Sequence, residues 1–214
     1  QIADKFNTLQ MGMVAANRVF KILDTDSQIE DNGTLIKEDV EGKIQFSEVR
    51  FGYLQDEEVL HGISFSVDPG QTVAIVGATG AGKSTIINLL NRFYEINSGA
   101  IMLDGVDVKE YKLSFLRAKI AVVLQDVFLF ADTIANNISL KNDSVSIADI
   151  ESAAKDIGVH DFIISLPGGY NYNVKERGAM LSSGQRQLIA FLRAYVSNPS
   201  ILVLDEATSS VDTY

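Results

Sequence analysis

The sequence contains no cysteine, which excludes disulfides, thiolate chemistry and a cysteine-ligated zinc site. His61 and His160 are its only two histidines, too few for a histidine-rich metal centre. Positive charge is scarce: 18 Lys and Arg stand against 28 Asp and Glu, for a net charge of −10. A general nucleic-acid binder presents a basic face, and this balance argues against one. It does not argue against a nucleoside triphosphate, whose charge a few local cations and Mg²⁺ neutralise. Long apolar runs are also missing. None reaches the roughly 18 residues that a membrane-crossing helix needs. Asp4, Lys5, Asn7 and Gln10 interrupt the apolar core that a signal peptide would require. The chain opens without an initiator Met and reads as a piece of a longer protein.

What is present is enough for one large domain, or one domain with a lobe: 214 residues, 46% of them hydrophobic. Ile2, Phe6, Leu9, Met13, Ala16, Phe20 and Leu23 recur at alternating spacings of four and three, which predicts an amphipathic helix over 1–23. That stripe fits a helix packed on its own domain, or the end of a longer helix arriving from a membrane domain. Asp24-Thr25-Asp26-Ser27 and Asn32-Gly33 stop the helix and open a polar linker to about residue 40. Alternation predicts a half-buried strand over Lys43–Phe51 and another over Gly62–Val67, followed by a turn at Asp68-Pro69-Gly70. Buried strands are expected at Thr72–Val76 and Ile201–Leu204, and further short strands at Ala100–Leu103 and Ile120–Leu124. Residues 126–198 turn helical, at Ile134–Ile138, Ile147–Ile157 and Gln185–Val196, with a break at Pro167-Gly168-Gly169. Strands alternating with helices imply an α/β core with a mostly parallel sheet. There is no internal repeat and no low-complexity segment.

Gly77-Ala78-Thr79-Gly80-Ala81-Gly82-Lys83-Ser84-Thr85 fits the phosphate-binding pattern G-x-x-x-x-G-K-[ST]. It stands between an expected strand and an expected helix. Such a loop gathers backbone N–H groups on phosphate oxygens, and the helix N-terminus adds roughly half a positive charge. The glycines let the backbone approach without a Cβ in the way. Lys83 would reach the β- and γ-phosphates, and the Ser84 hydroxyl would hold Mg²⁺.

Two acids, Asp205 and Glu206, directly follow the strand expected at Ile201–Leu204. Ligands of open α/β sheets lie outside the carboxyl ends of the strands. Asp205 would meet the Mg²⁺ sphere there, and Glu206 would orient and deprotonate a water for in-line attack on the γ-phosphate. A helix N-cap is the plain alternative for such acids, but the upstream loop outweighs it. Leu181-Ser182-Ser183-Gly184-Gln185 opens a helix and reads either as a second anion site or as an ordinary serine N-cap. Two chains facing each other would use both phosphate grips.

Together these residues resemble the nucleotide-binding domain of an ATP-binding cassette (ABC) transporter, from about residue 41 to 214. Lys83 sits in its Walker A motif, which carries over Gly77, Thr79, Gly80, Ala81, Gly82, Ser84 and Thr85, and Asp205 sits in its Walker B motif. Glu206 matches the catalytic glutamate. Ser182, Gly184 and Gln185 fall in a stretch similar to the ABC signature, and Gln125 falls at the Q-loop position, a Mg²⁺ and γ-phosphate sensor. Tyr53, in Phe51-Gly52-Tyr53, matches the aromatic that stacks on adenine, and Ser209-Ser210-Val211-Asp212 resembles the D-loop. Within the family the likeness is to multidrug or lipid exporters. Glu176-Arg177-Gly178 resembles the exporter segment that touches the coupling helices.

The resemblance implies a P-loop NTPase core with a RecA-like parallel sheet, an N-terminal antiparallel β subdomain and an α-helical signature subdomain at about 126–198. Residues 1–40 would be the helix and linker from a transmembrane domain. It implies ATP and Mg²⁺ as ligands and no nucleic acid. A second nucleotide-binding domain, identical or different, is the implied partner, with the transmembrane domain of the same transporter. The implied place is the cytoplasmic face of the cell membrane. Two domains would sandwich two ATP molecules head to tail, each between Lys83 of one chain and Ser182 and Gly184 of the other. Alternatives are the nucleotide-gated dimerisation module of a non-transport ABC protein and a half-site that binds ATP with little turnover. A generic P-loop kinase would leave the signature unexplained.

The sequence departs from the family at two places. Ser183 replaces the commonest glycine of the signature, which a serine tolerates if its backbone is not at positive φ. The family's switch histidine lies on a strand after the D-loop. His61 precedes the phosphate loop and His160 falls in the helical lobe, so neither stands in for it. The expectation is a domain that is truncated or given only in part, lacking the C-terminal part of its core.

Overall fold

The computed structural model describes residues 2–25, 29–54 and 57–205. They form two units, one up to Glu30 and one from Asp31 onward. The first is a single helix, α1 (Ile2–Leu23), with Asp4 in its first turn and Lys21 in its last, each favourable to the helix dipole. Its apolar stripe is exposed at Ile2, Phe6, Leu9, Met13, Phe20 and Leu23, and no residue of α1 is buried. Among the described residues, no helix is long and apolar enough to cross a membrane.

The second unit begins with an antiparallel sheet. β1 (Ile44–Phe51) and β2 (Leu60–Val67) pair with β3 (Ser98–Leu103) and β4 (Val106–Asp107) in the order β2-β1-β3-β4. β1 buries Ile44 and Phe46, then changes phase and buries Val49 and Phe51. A bulge after Phe46 causes the change: Glu48 takes φ 45, and the register to β2 slips between Phe46 and Val49. An inserted residue turns the apolar alternation over, so both halves of β1 face the same core. Asp104 pins the start of β1. Its carboxylate accepts from the N–H groups of Glu41, Gly42 and Lys43 at 2.8, 3.0 and 2.8 Å.

Two helices and a parallel pair complete this core: α2 (Lys83–Leu90) and α3 (Leu113–Lys119), then β5 (Ile120–Val123) beside β6 (Ile201–Leu204). Leu89, Leu90, Tyr111, Leu116, Ile120 and Ile201 join the buried side of the antiparallel sheet. A second core holds the helical lobe, made of α4 (Ile134–Ser139), α5 (Ile147–Asp156) and α6 (His160–Ser165). It is built on Leu129, Ile134, Ile150, Ile163, Ile189 and Leu192. A fourth helix, α7 (Ser183–Val196), belongs to that core and also lays Ala190 and Ala194 against Val123 of β5. It thereby ties the lobe to the parallel pair.

Two expectations are corrected. Residues 72–76 are not a strand and not buried: Val73, Ile75 and Val76 are 52, 44 and 88% exposed. A buried strand needs a neighbour for its N–H and C=O groups, and among the described residues none pairs with this segment. β6 forms as expected but buries one face only. Ile201 and Val203 turn to the core, while Leu202 and Leu204 are 42 and 45% exposed. Sequence periodicity also missed β4, α3 and α6, which are short and weakly patterned. Where the structure describes them, the strands and helices expected elsewhere are present. The sheets are antiparallel toward the N-terminus and parallel at β5 and β6.

Candidate functional site

The loop 77–82 leads directly into α2. Gly82 occupies the N-cap position of α2 at φ 86, ψ 12, in the left-handed region, and no side chain caps this end. Only glycine takes this conformation freely. A Cβ at Gly82 would also lie 2.7 Å from Leu60 Cδ2, so a side chain there would have to displace the tip of Leu60. Gly80, at φ 83, gives the loop its second left-handed position. The first turn of α2 therefore presents bare N–H groups beside a lysine, as an anion site requires. Lys83 folds back across the loop and donates from Nζ to the carbonyls of Gly77 and Ala78 at 2.8 and 3.0 Å.

Ser84 and Asp205 are brought together. Ser84 Oγ donates to Asp205 Oδ2 at 3.5 Å, and Asp205 N–H donates to Val123 O at 2.9 Å, which holds the acid at the end of the parallel pair. A hydroxyl and a carboxylate at one point form a hard-oxygen donor set. Mg²⁺ commonly takes one or two protein oxygens of this kind and completes its shell with phosphate and water. The residues therefore fit the ion. Among the described residues, no group of three or more His, Asp or Glu side chains is placed to hold a metal on its own.

Tyr53 is also brought to the loop. Its hydroxyl lies 3.1 Å from Thr85 Oγ1 and accepts from Asn88 Nδ2 at 3.3 Å. Its ring stands nearly perpendicular to those of Phe51 and Tyr94, at centroid distances of 4.9 and 5.0 Å. Gly52 N–H donates to Asn97 Oδ1 at 2.9 Å, which anchors the end of β1 where Tyr53 begins. Asn88 and Tyr94 were not legible as site residues. The only sequence signal for Asn88 is its place one turn beyond Ser84 on α2.

Gln125 stands just past β5, exposed, at the start of a clamped segment. Fully buried Asn137 accepts from Phe130 N–H and donates to Phe130 O, while Arg193 donates to Asn137 O at 2.8 Å and to Phe128 O at 3.3–3.4 Å. Burial lowers the pKa of the Arg193 guanidinium. Next to the clamp, Asp132 is held at a pKa of about 2 by hydrogen bonds from Asn136 and Thr133 and by Lys141.

Ser182, Gly184 and Gln185 open α7. Ser182 Oγ accepts from Gln185 N–H, and Gln185 Oε1 accepts from Ser182 N–H, a reciprocal capping box. Ser183 is not among the positive-φ residues, so a serine fits there. Among the described residues, none of the hydrogen bonds or ion pairs joins Ser182, Gly184 or Gln185 to the loop 77–85 within the chain. Glu206 and the segment 209–212 lie outside the described residues.

The family model described as ABC transporter matches residues 60–209. An uncharacterised ABC transporter ATP-binding protein of Bacillus subtilis is 42% identical over 214 residues, 100% of this chain and 35% of that protein. The ATP-dependent lipid A-core flippase of Haemophilus influenzae is 50% identical over 206 residues, 95% of this chain and 35% of its own length. Among solved structures, a bacterial Atm1-family ABC exporter with ATP bound matches at TM-score 0.86 and 43% identity. That match covers 97% of this chain and 36% of the exporter chain. The chain thus spans about a third of the length of the relatives it matches.

Proposed function

The chain belongs to the ABC transporter family, and we propose that it is the ATP-binding and ATP-hydrolysing module of an exporter. The observation that carries this reading is the meeting of Ser84 and Asp205 at the uncapped N-terminus of α2. It puts an oxygen donor pair for Mg²⁺ beside the backbone N–H groups and the lysine that a triphosphate requires. Bound there with the nucleotide, Mg²⁺ would neutralise charge on the β- and γ-phosphate oxygens.

The remaining work falls to the chain's own residues. Lys83 exchanges the carbonyls of Gly77 and Ala78 for phosphate oxygens. The loop from Gly77 through Thr85, with Thr79, Gly80, Ala81 and Gly82, supplies N–H donors. Tyr53 offers its exposed ring to the adenine base. Glu206, by its place after Asp205, would take the proton of the attacking water, and Gln125 would sense the γ-phosphate and Mg²⁺. Ser182, Gly184 and Gln185 serve the nucleotide of a second copy or a sister subunit, in a head-to-tail dimer. α1, with no residue buried, suits a helix that continues into a transmembrane domain, and the module would sit on the cytoplasmic face of the membrane. The exporter names of the relatives support this placement.

ATP turnover, with and without Glu206→Gln, tests the reading. A general base contributes about 10²–10⁴ in rate, so the substitution is expected to remove turnover by that factor and to leave ATP binding intact. A chain with no turnover to lose would be a binding module instead.

A further inference from the structure

The hydroxyl of Tyr53 lies between two side chains of α2, Thr85 and Asn88. The amide nitrogen of Asn88 can only donate, so Tyr53 Oη accepts from it. Tyr53 Oη and Thr85 Oγ1 share a second bond in which either hydroxyl can donate. The result is a short network, Asn88–Tyr53–Thr85, in which neighbouring bonds polarise one another. Thr85 is 5% exposed and fixed on the first turn of α2, so the network ends on a rigid point next to the phosphate loop. Phe51 and Tyr94 hold the ring from the side at near-perpendicular angles. The residue nonetheless remains 47% exposed.

We propose that Asn88 is a positioning residue for the nucleotide base, acting through the Tyr53 hydroxyl; this rests on reading the loop 77–85 as an ATP site. A tyrosine free to change rotamer must be immobilised when a base stacks on it, and that lost freedom subtracts from affinity. Asn88 holds the ring beforehand and ties it to the same helix that carries Lys83 and Ser84. Base and triphosphate are then bound by one rigid element. A ligand with no base gains nothing from Asn88.

Calorimetric titration of the chain with ATP and with inorganic tripolyphosphate, both with Mg²⁺, tests this on wild type, Asn88→Leu, Tyr53→Phe and the double variant. Each single substitution is expected to weaken ATP roughly three- to tenfold, the worth of one neutral hydrogen bond, and to leave tripolyphosphate unchanged. The double variant is expected to bind ATP no worse than Tyr53→Phe alone, because Asn88 acts through the oxygen already removed. Additive losses, an equal loss for tripolyphosphate, or unchanged ATP affinity in Asn88→Leu would overturn the role of Asn88. Tyr53→Phe removes a single oxygen and keeps the test decisive if Asn88→Leu fails to fold: unchanged ATP affinity in that variant overturns the proposal by itself. Wild type that binds neither ligand overturns the nucleotide reading and Asn88 with it. Wild type that binds ATP well but ignores both substitutions overturns the positioning role alone.

Discussion

Ser84 Oγ lies 3.5 Å from Asp205 Oδ2, although 121 positions separate the two residues in the chain. One sits in the first turn of α2 and the other follows β6, so the contact joins the start of α2 to the end of the parallel pair. If these oxygens take Mg²⁺, Ser84→Ala and Asp205→Asn should each weaken ATP binding in the presence of Mg²⁺ by roughly tenfold or more, about 1.4 kcal/mol. Binding measured in EDTA should change little. A loss of equal size with and without Mg²⁺ would place the two residues outside the ion's shell.

Gly82→Ala should destabilise the chain as well as its ligand site. A non-glycine residue in the left-handed region costs about 1–2 kcal/mol, and the new methyl would meet Leu60 Cδ2 at 2.7 Å. In a domain of this size each 1 kcal/mol lowers the melting temperature by about 2–4 °C. A thermal melt should therefore show a fall of several degrees. An unchanged melt would mean that the loop relaxes freely, and the rigid anion site would lose its support.

Much of this was legible in the sequence because it depends on local pattern. The phosphate loop, the acid after β6 and the serine opening α7 are each carried by neighbours within a few residues. The parts that were not legible depend on partners far away in the chain. Residues 72–76 have a strand's composition, but a strand is made by its neighbour's N–H and C=O groups, and among the described residues none lies alongside. Leu202 and Leu204 look like core by composition, yet only one face of β6 is covered. The bond from Asn88 to Tyr53 spans 35 positions and has no signature in either segment. The bulge at Glu48 was hidden for a similar reason, since its register is set by β2 and β3 together.

Asp132 gives the helical lobe a specific pH dependence. Hydrogen bonds from Asn136 and Thr133, together with Lys141, depress its pKa from the ordinary 3.8 to about 2. A carboxylate with a depressed folded-state pKa stabilises fully above its unfolded value and loses that contribution as pH falls through the folded one. Wild type should therefore melt higher than Asp132→Asn above about pH 4, and the gap should close as the pH approaches about 2. A gap that stays constant across this range would show that Asp132 does not act through its charge.

Lys83 bears most directly on whether this chain is an ATP module. Its ammonium is already at the loop, bonded to Gly77 and Ala78, so a triphosphate has only to take over existing donors. Equilibrium titration of ATP in Mg²⁺ should give saturable binding to the wild-type chain. Lys83→Ala should weaken it by roughly 10- to 100-fold, the worth of a hydrogen bond to a charged group, with the far-ultraviolet circular dichroism unchanged. Folded wild type that shows no saturable binding, or a folded Lys83→Ala chain that binds ATP as tightly, would contradict the assignment.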